Sequence, residues 1–164
     1  IGHRLLPHNP ASDVKHKFDR ISAIANAKEI ELINRIEGKF DIFADEDMIK
    51  TVLRNLISNA IKFTYTGGQV ELSLADSGDY WTIYVKDNGK GIPKDLQAHL
   101  LKSDEYITTY GTHNEKGSGL GLILCRDFIR MNKGKLHFYS QEGIGTTFYF
   151  TIPKASSSAE AVSR

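Results

Sequence analysis

The chain lacks much of what marks several common protein classes. It has one cysteine, Cys125, in 164 residues, so neither an internal disulfide nor a thiolate zinc cluster can form, which suits a reducing compartment. No charge of one sign is in excess. Lys and Arg number 21 against 20 Asp and Glu, a net charge of +1, which points to neither nucleic acid nor an anionic membrane as a partner. No apolar run is long enough to span a bilayer, and the first residues do not resemble a secretory signal. The first residue is Ile1 rather than Met, so the sequence reads as a piece of a longer protein, cytoplasmic itself, whose parent could be anchored in an inner membrane. The histidines are scattered without metal-ligand spacing, so His99, His113 and His137 read as surface or structural residues. No internal repeat is present.

What remains is ordinary for one globular domain: 40% hydrophobic and 25% charged residues. Residues 1–11 are turn-rich and read as an irregular leading segment. Ser12 and Asp13 can cap a helix to about Lys28, with Val14, Phe18, Ile21 and Ile24 on one face. Ile30 to Asn34 and Phe40 to Ala44 read as short strands either side of Gly38. Asp45, Glu46 and Asp47 open a second helix to about Phe63, with acids at the positive end of its dipole. Alternation in Val70, Leu72, Leu74 and in Trp81, Ile83, Val85, joined by Asp76-Ser77-Gly78-Asp79, predicts a hairpin. A glycine-rich corner at Asp87 to Pro93 leads into a short helix to about Leu101. Residues 102–118 are polar and aperiodic, a long loop of the kind that usually carries function. A helix from about Leu120 to Asn132, closed by Gly134, and strands Leu136 to Ser140 and Thr146 to Ile152 complete a domain over 12–153. The Ser/Ala-rich stretch 154–164 reads as a disordered tail. The fold class is α+β: a two-layer sandwich of a mixed, largely antiparallel sheet packed on about three helices.

Three local patterns carry chemistry. Asn55, Asn59 and Lys62 form one polar stripe at helical spacing beside the apolar arc of Ile49, Leu53, Leu56, Ile57 and Ala60. Such a stripe is a solvated face or the wall of a cleft, and asparagines at this spacing add nothing to local helix stability. Asp87-Asn88-Gly89-Lys90-Gly91-Ile92-Pro93 follows a strand directly. Its glycines allow a close backbone approach and its acid can accept a hydrogen bond from a ligand, although a plain tight turn has the same composition. Lys116-Gly117-Ser118-Gly119-Leu120-Gly121-Leu122 opens a helix, where free N–H groups and the dipole favour a phosphate. The dinucleotide-binding fingerprint has different glycine spacing and follows a strand, and the Walker loop ends in a different order, so neither applies.

Taken in order, Asn-x-x-x-Asn-Ala-x-Lys-Phe-Thr, Asp-x-Gly-x-Gly-Ile, Gly-x-Gly-Leu-Gly-Leu and Gly-x-Gly-Thr-x-Phe resemble the superfamily of gyrase, heat-shock chaperone, histidine kinase and mismatch-repair ATPases. Asn55 to Thr64 and Gly143 to Pro153 resemble the histidine kinase branch. The resemblance implies an ATP-binding catalytic domain with a long lid. Asn59 would hold Mg²⁺, Asn55 would support the triphosphate, and Lys62 would offset phosphate charge, the three forming the catalytic set. Phe63 would lie against adenine, Asp87 would accept its amino group, and Gly89, Gly91 and Ile92 would admit the base. Residues 102–118 would form the lid, with Lys116, Gly117, Ser118, Gly119, Leu120 and Gly121 as its hinge and anion site. Thr146 would sit near the base, with Thr147 as the competitor. Where such kinases commonly carry a Phe before the lid, this chain reads Leu100-Leu101-Lys102, and Leu101 is expected to fill that contact.

The same resemblance implies partners: a histidine on a dimerisation hairpin of the parent protein, and a downstream response-regulator receiver domain. Neither His3 nor His8 has the acid expected after the acceptor. The alternatives are a stand-alone family member acting as a protein-serine kinase or regulator, and a binding module that holds nucleotide without transferring phosphate.

Overall fold

The computed structural model describes residues 21–38, 40–102 and 121–155. Five strands form one sheet: β1 (Glu31–Asn34), β2 (Gln69–Ser77), β3 (Tyr80–Asp87), β4 (Leu136–Gln141) and β5 (Gly145–Pro153), in the order β1-β2-β3-β5-β4. β1 runs parallel to β2, and the other neighbours are antiparallel, so the expected mixed, largely antiparallel sheet is present. Gly78 at φ +77° and Asp79 make a two-residue turn between β2 and β3, tighter than the sequence suggests.

Helix α1 (Glu46–Phe63) is the organising element. The Asp45 side chain accepts from the Met48 N–H at 3.0 Å, and Glu46 and Asp47 occupy its first turn. Its apolar face, including Val52, Leu56, Ile57 and Ile61, is buried. It packs on β2, β3 and helix α3 (Gly121–Met131). α2 (Lys94–Gln97) is one turn, and residues 98–101 continue as turns rather than as the longer helix expected. Alternating inward residues complete the core, among them Ile83 and Val85 on β3 and Phe150 and Ile152 on β5.

Residues 21–27 are helical, but their buried face runs Ile21, Ala25, Lys28, and Ile24 is 58% exposed. That is the seven-residue repeat of a helix face, so the expected Ile21–Ile24 pairing is off by a quarter turn. Phe40, Ile42 and Ala44 are buried alternately, as a strand would be, yet among the described residues only Ile42 forms a bridge, to Lys154. The bridge cannot grow into a ladder on the partner side because Pro153 has no N–H to donate. Its carbonyl accepts from Phe43 N at 2.9 Å. The expected disordered tail therefore starts too early: Lys154 bonds Asp76 at 2.6 Å and lies 4.4 Å from the Trp81 ring centroid. Residues 1–20 and 156–164 lie outside the described residues, and so do their expected structures. Among the described residues no helix is long and apolar enough to cross a membrane.

Candidate functional site

The polar stripe of α1 faces a cavity of about 350 Å³. Asn55, Ser58, Asn59, Lys62 and Phe63 form one wall. Asp87 at the end of β3 and the corner residues Lys90, Gly91, Ile92 and Pro93 form a second. Gly121 and Leu122 of α3, Leu96 and Leu100, and Thr146 and Phe148 of β5 close the rest. The sequence boxes that fall among the described residues thus converge on one space, although they lie far apart along the chain. Lys116, Gly117, Ser118, Gly119 and Leu120, and the lid expected over 102–118 apart from Lys102, lie outside the described residues.

Asp87 is 6% exposed. Its Oδ1 accepts from the backbone N–H of Gly89 at 2.9 Å and of Thr146 at 3.2 Å. Oδ2 makes no hydrogen bond among the described residues, yet no side-chain oxygen or nitrogen among them is both sealed and unpartnered. This oxygen is therefore reachable, and the residue lines the cavity. Burial pushes the carboxyl up to about 6, with the two N–H groups opposing the rise. The carboxyl group is thus held at one oxygen by two backbone donors and borders the cavity.

Thr146 lines the cavity and Thr147 does not appear on its wall. Thr146, Phe148, Phe150 and Ile152 are the buried set of β5, so the two-residue period of the strand separates the candidates. The Thr146 hydroxyl shares a hydrogen bond with Ser140 Oγ at 2.8 Å.

The corner glycines serve the chain as well as the cavity. A Cβ on Gly89 would fall 2.1 Å from the Phe63 carbonyl oxygen, so Gly89 lets this corner close on the end of α1. Gly89 itself is not on the cavity wall, a departure from the expectation that it admits the base. Gly91 is on the wall, at φ +69°, and a Cβ there would meet the Gln141 carbonyl oxygen at 2.2 Å. Gly121 differs: a Cβ there would only touch the Asn55 amide at 3.9 Å among the described residues.

Lys62 and Lys90 both place their ammonium groups near the Phe63 ring, 5.0 and 5.2 Å from its centroid. Lys90 is not among the residues expected at the site, although it sits inside the Asp-x-Gly-x-Gly box. Cys125 of α3 is buried against α1: its thiol donates to the Val52 carbonyl oxygen at 3.8 Å, and burial pushes it up to about 12. Leu100, not Leu101, reaches the cavity. The Leu101 carbonyl instead accepts from Arg126 Nη1 at 3.3 Å. Among the described residues no three His, Cys, Asp or Glu side chains cluster as a metal site. A cation at Asn59 would draw the rest of its shell from ligand oxygens and water, which suits a hard ion such as magnesium.

Comparison with known proteins agrees with this geometry. Residues 44–156 match the family model of histidine kinase-, DNA gyrase B- and HSP90-like ATPases. Adaptive-response sensory kinase SasA of Crocosphaera subtropica is 33% identical over 141 residues, covering 85% of this chain and 36% of the relative. The chain spans 29–37% of the length of the SasA relatives it matches. The nucleotide-free catalytic domain of histidine kinase ThkA superposes with a TM-score of 0.74 at 28% identity, covering 89% of this chain and 95% of that one. ThkA in complex with response regulator protein TrrA matches at 0.69 and 25% identity, over 90% of this chain and 41% of that one. Full-length ShkA in complex with AMPPNP matches at 0.75 and 26% identity, over 94% and 32%. The chain belongs to the histidine kinase-, DNA gyrase B- and HSP90-like ATPase family, and within it is a histidine kinase catalytic domain.

Proposed function

We propose that this domain binds Mg-ATP in the cavity between α1 and the β3 corner and delivers the γ-phosphate to a histidine on a dimerisation hairpin of its parent protein. The observation that carries the reading is the convergence of Asn55, Asn59 and Lys62 with Asp87, Gly91 and Thr146 around one cavity. Asp87 Oδ2 accepts the exocyclic amino group of adenine, and Phe63, Ile92 and Thr146 flank the base. Lys62 offsets phosphate charge, Asn59 is the protein ligand to magnesium, and Asn55 steadies the triphosphate. Gly121 is bare without being crowded by described neighbours, which supports close approach of a phosphate there, with Lys116 to Leu120 as the rest of that loop.

Phosphoryl transfer of this kind depends on positioning and charge stabilisation rather than on a covalent protein intermediate. The domain's part is to hold the phosphates and present the terminal one to an acceptor it does not itself supply. ShkA bound to AMPPNP supports nucleotide in this fold, and ThkA with TrrA supports a receiver domain as the downstream partner. A cytoplasmic setting follows from use of ATP.

The test incubates the 164-residue chain with labelled ATP, alone and with the separately produced hairpin of its parent. Acid-labile, base-stable label on the hairpin is expected. Label on serine of another protein would favour a protein-serine kinase, and no label anywhere despite nucleotide binding would favour a binding-only module.

A further inference from the structure

The end of α1 is held by a side chain that the nucleotide boxes do not include. A helix leaves its last four carbonyls without helical partners, and here each of them is met. The Ala60 carbonyl accepts from the Thr64 hydroxyl at 2.6 Å, and the Phe63 carbonyl accepts from Lys90 N at 3.0 Å. The remaining two converge on one amine: Lys28 Nζ donates to the Ile61 carbonyl at 3.1 Å and to the Lys62 carbonyl at 2.9 Å. Thr64 N gives Ile61 a second, longer bond of 3.3 Å. Lys28 is 6% exposed and comes from far upstream, 33 positions before Ile61. A buried ammonium is costly unless fully bonded, and a helix C-terminus, with its partial negative charge, is where it costs least.

Lys28 also sits at a junction. Residues 21–27 end there, with Glu29 in the left-handed region at φ 56° and Ile30 N bonding the Ala25 carbonyl at 2.8 Å. From the same corner the Glu29 carbonyl accepts from Gly67 N at 3.1 Å, and Glu31 N donates to the Gly68 carbonyl at 3.0 Å, at the start of β1. The turn that Lys28 grips carries Lys62 and Phe63, both on the cavity wall.

We infer that Lys28 is a positioning residue for the nucleotide site: its amine fixes the last turn of α1, so that Lys62 and Phe63 present correctly only while residues 21–28 are docked. This rests on the cavity being the nucleotide site. It makes the leading helix and the cavity energetically linked, because whatever loosens one loosens the other.

The test uses the full 164-residue chain and compares Lys28→Met, which keeps the stem and removes the donors, with Lys28→Arg, which restores them. ATP affinity by calorimetry, well below the melting temperature, should fall about tenfold in Lys28→Met, equivalent to about 1.4 kcal/mol, and recover at least in part in Lys28→Arg. In a Lys62→Ala background the Lys28→Met loss should shrink, because one of the groups being positioned is gone. An undiminished loss there, or unchanged affinity beside a lowered melting temperature, would overturn the inference and leave Lys28 purely structural. Hydrogen exchange at residues 61–64 in the nucleotide-free chain reads the capping without ATP. Faster exchange in Lys28→Met is expected, and unchanged protection also overturns the proposal. A parent chain that fails to bind ATP would instead refute the nucleotide reading, while the exchange result would still decide the capping. If Lys28→Met does not fold, Lys28→Gln, which removes the charge and draws the polar end back on a shorter stem, takes its place, with the same loss of affinity and faster exchange expected.

Discussion

Replacing Asp87 by Asn should move stability and nucleotide affinity in opposite directions. The carboxyl is raised from 3.8 to about 6 by burial. That gap of roughly two pH units, at about 1.36 kcal/mol per unit, corresponds to about 3 kcal/mol that the ionised group costs the folded chain well above pH 6. The sign follows from proton binding. The folded state holds this proton more tightly than the unfolded state, so the parent gains stability as pH falls through about 6 towards 3.8, and carries the full penalty at about pH 8. The amide in Asp87→Asn keeps an acceptor for the Gly89 and Thr146 N–H groups but carries no charge to desolvate. Urea titrations should therefore find Asp87→Asn more stable by up to about 3 kcal/mol at about pH 8, with the advantage shrinking towards about pH 4. Affinity should fall at the same time. The amide turns an N–H donor towards the adenine amino group where the carboxylate offered an acceptor. Loss of a charged hydrogen bond of roughly 1.5–3 kcal/mol is about 10- to 150-fold in Kd by calorimetry. A variant less stable than the parent at the higher pH would show that the two backbone N–H groups outweigh desolvation. Unchanged ATP affinity would remove Asp87 from the base site.

The same acceptor should make the domain prefer ATP to GTP, since guanine sets a carbonyl oxygen against Asp87 Oδ2; equal affinities for the two nucleotides in calorimetry would contradict this. Asn59→Ala should retain the parent's melting temperature, because Ala is the better helix former, while losing the gain in ATP affinity on adding Mg²⁺; a retained gain would exclude Asn59 as the ligand. Gly91→Ala should destabilise by at least about 1–2 kcal/mol, the cost of a left-handed non-glycine residue, and by more because its Cβ would press on the Gln141 carbonyl; thermal melts that coincide with the parent's would count against the corner geometry.

Much of the fold was legible because its signals are local. The Asp45 cap, the apolar face of α1 and the alternation of β2, β3 and β5 each depend on residues a few positions apart, and they form where the pattern puts them. Even the choice of Thr146 over Thr147 was available, since Thr146 shares its strand face with Phe148, Phe150 and Ile152. The stripe of Asn55, Asn59 and Lys62 was readable too, but whether it faced water or a cleft depended on what packed opposite it.

Tertiary contacts decided the rest. Phe40 to Ala44 has a strand's burial pattern but only one bridge, because its neighbour is the end of β5 at Pro153. Lys154 became part of the domain through Asp76 and Trp81, both on the β2–β3 hairpin. Gly89 is glycine because the end of α1 lies against it, a constraint invisible in its own box. Lys28 reads in the sequence only as the end of a helix, and became a buried cap when the carbonyls of Ile61 and Lys62 arrived beside it. Periodicity reports which side of an element is apolar; it carries no information about which distant backbone group will need a partner there, and that is settled only when the elements pack.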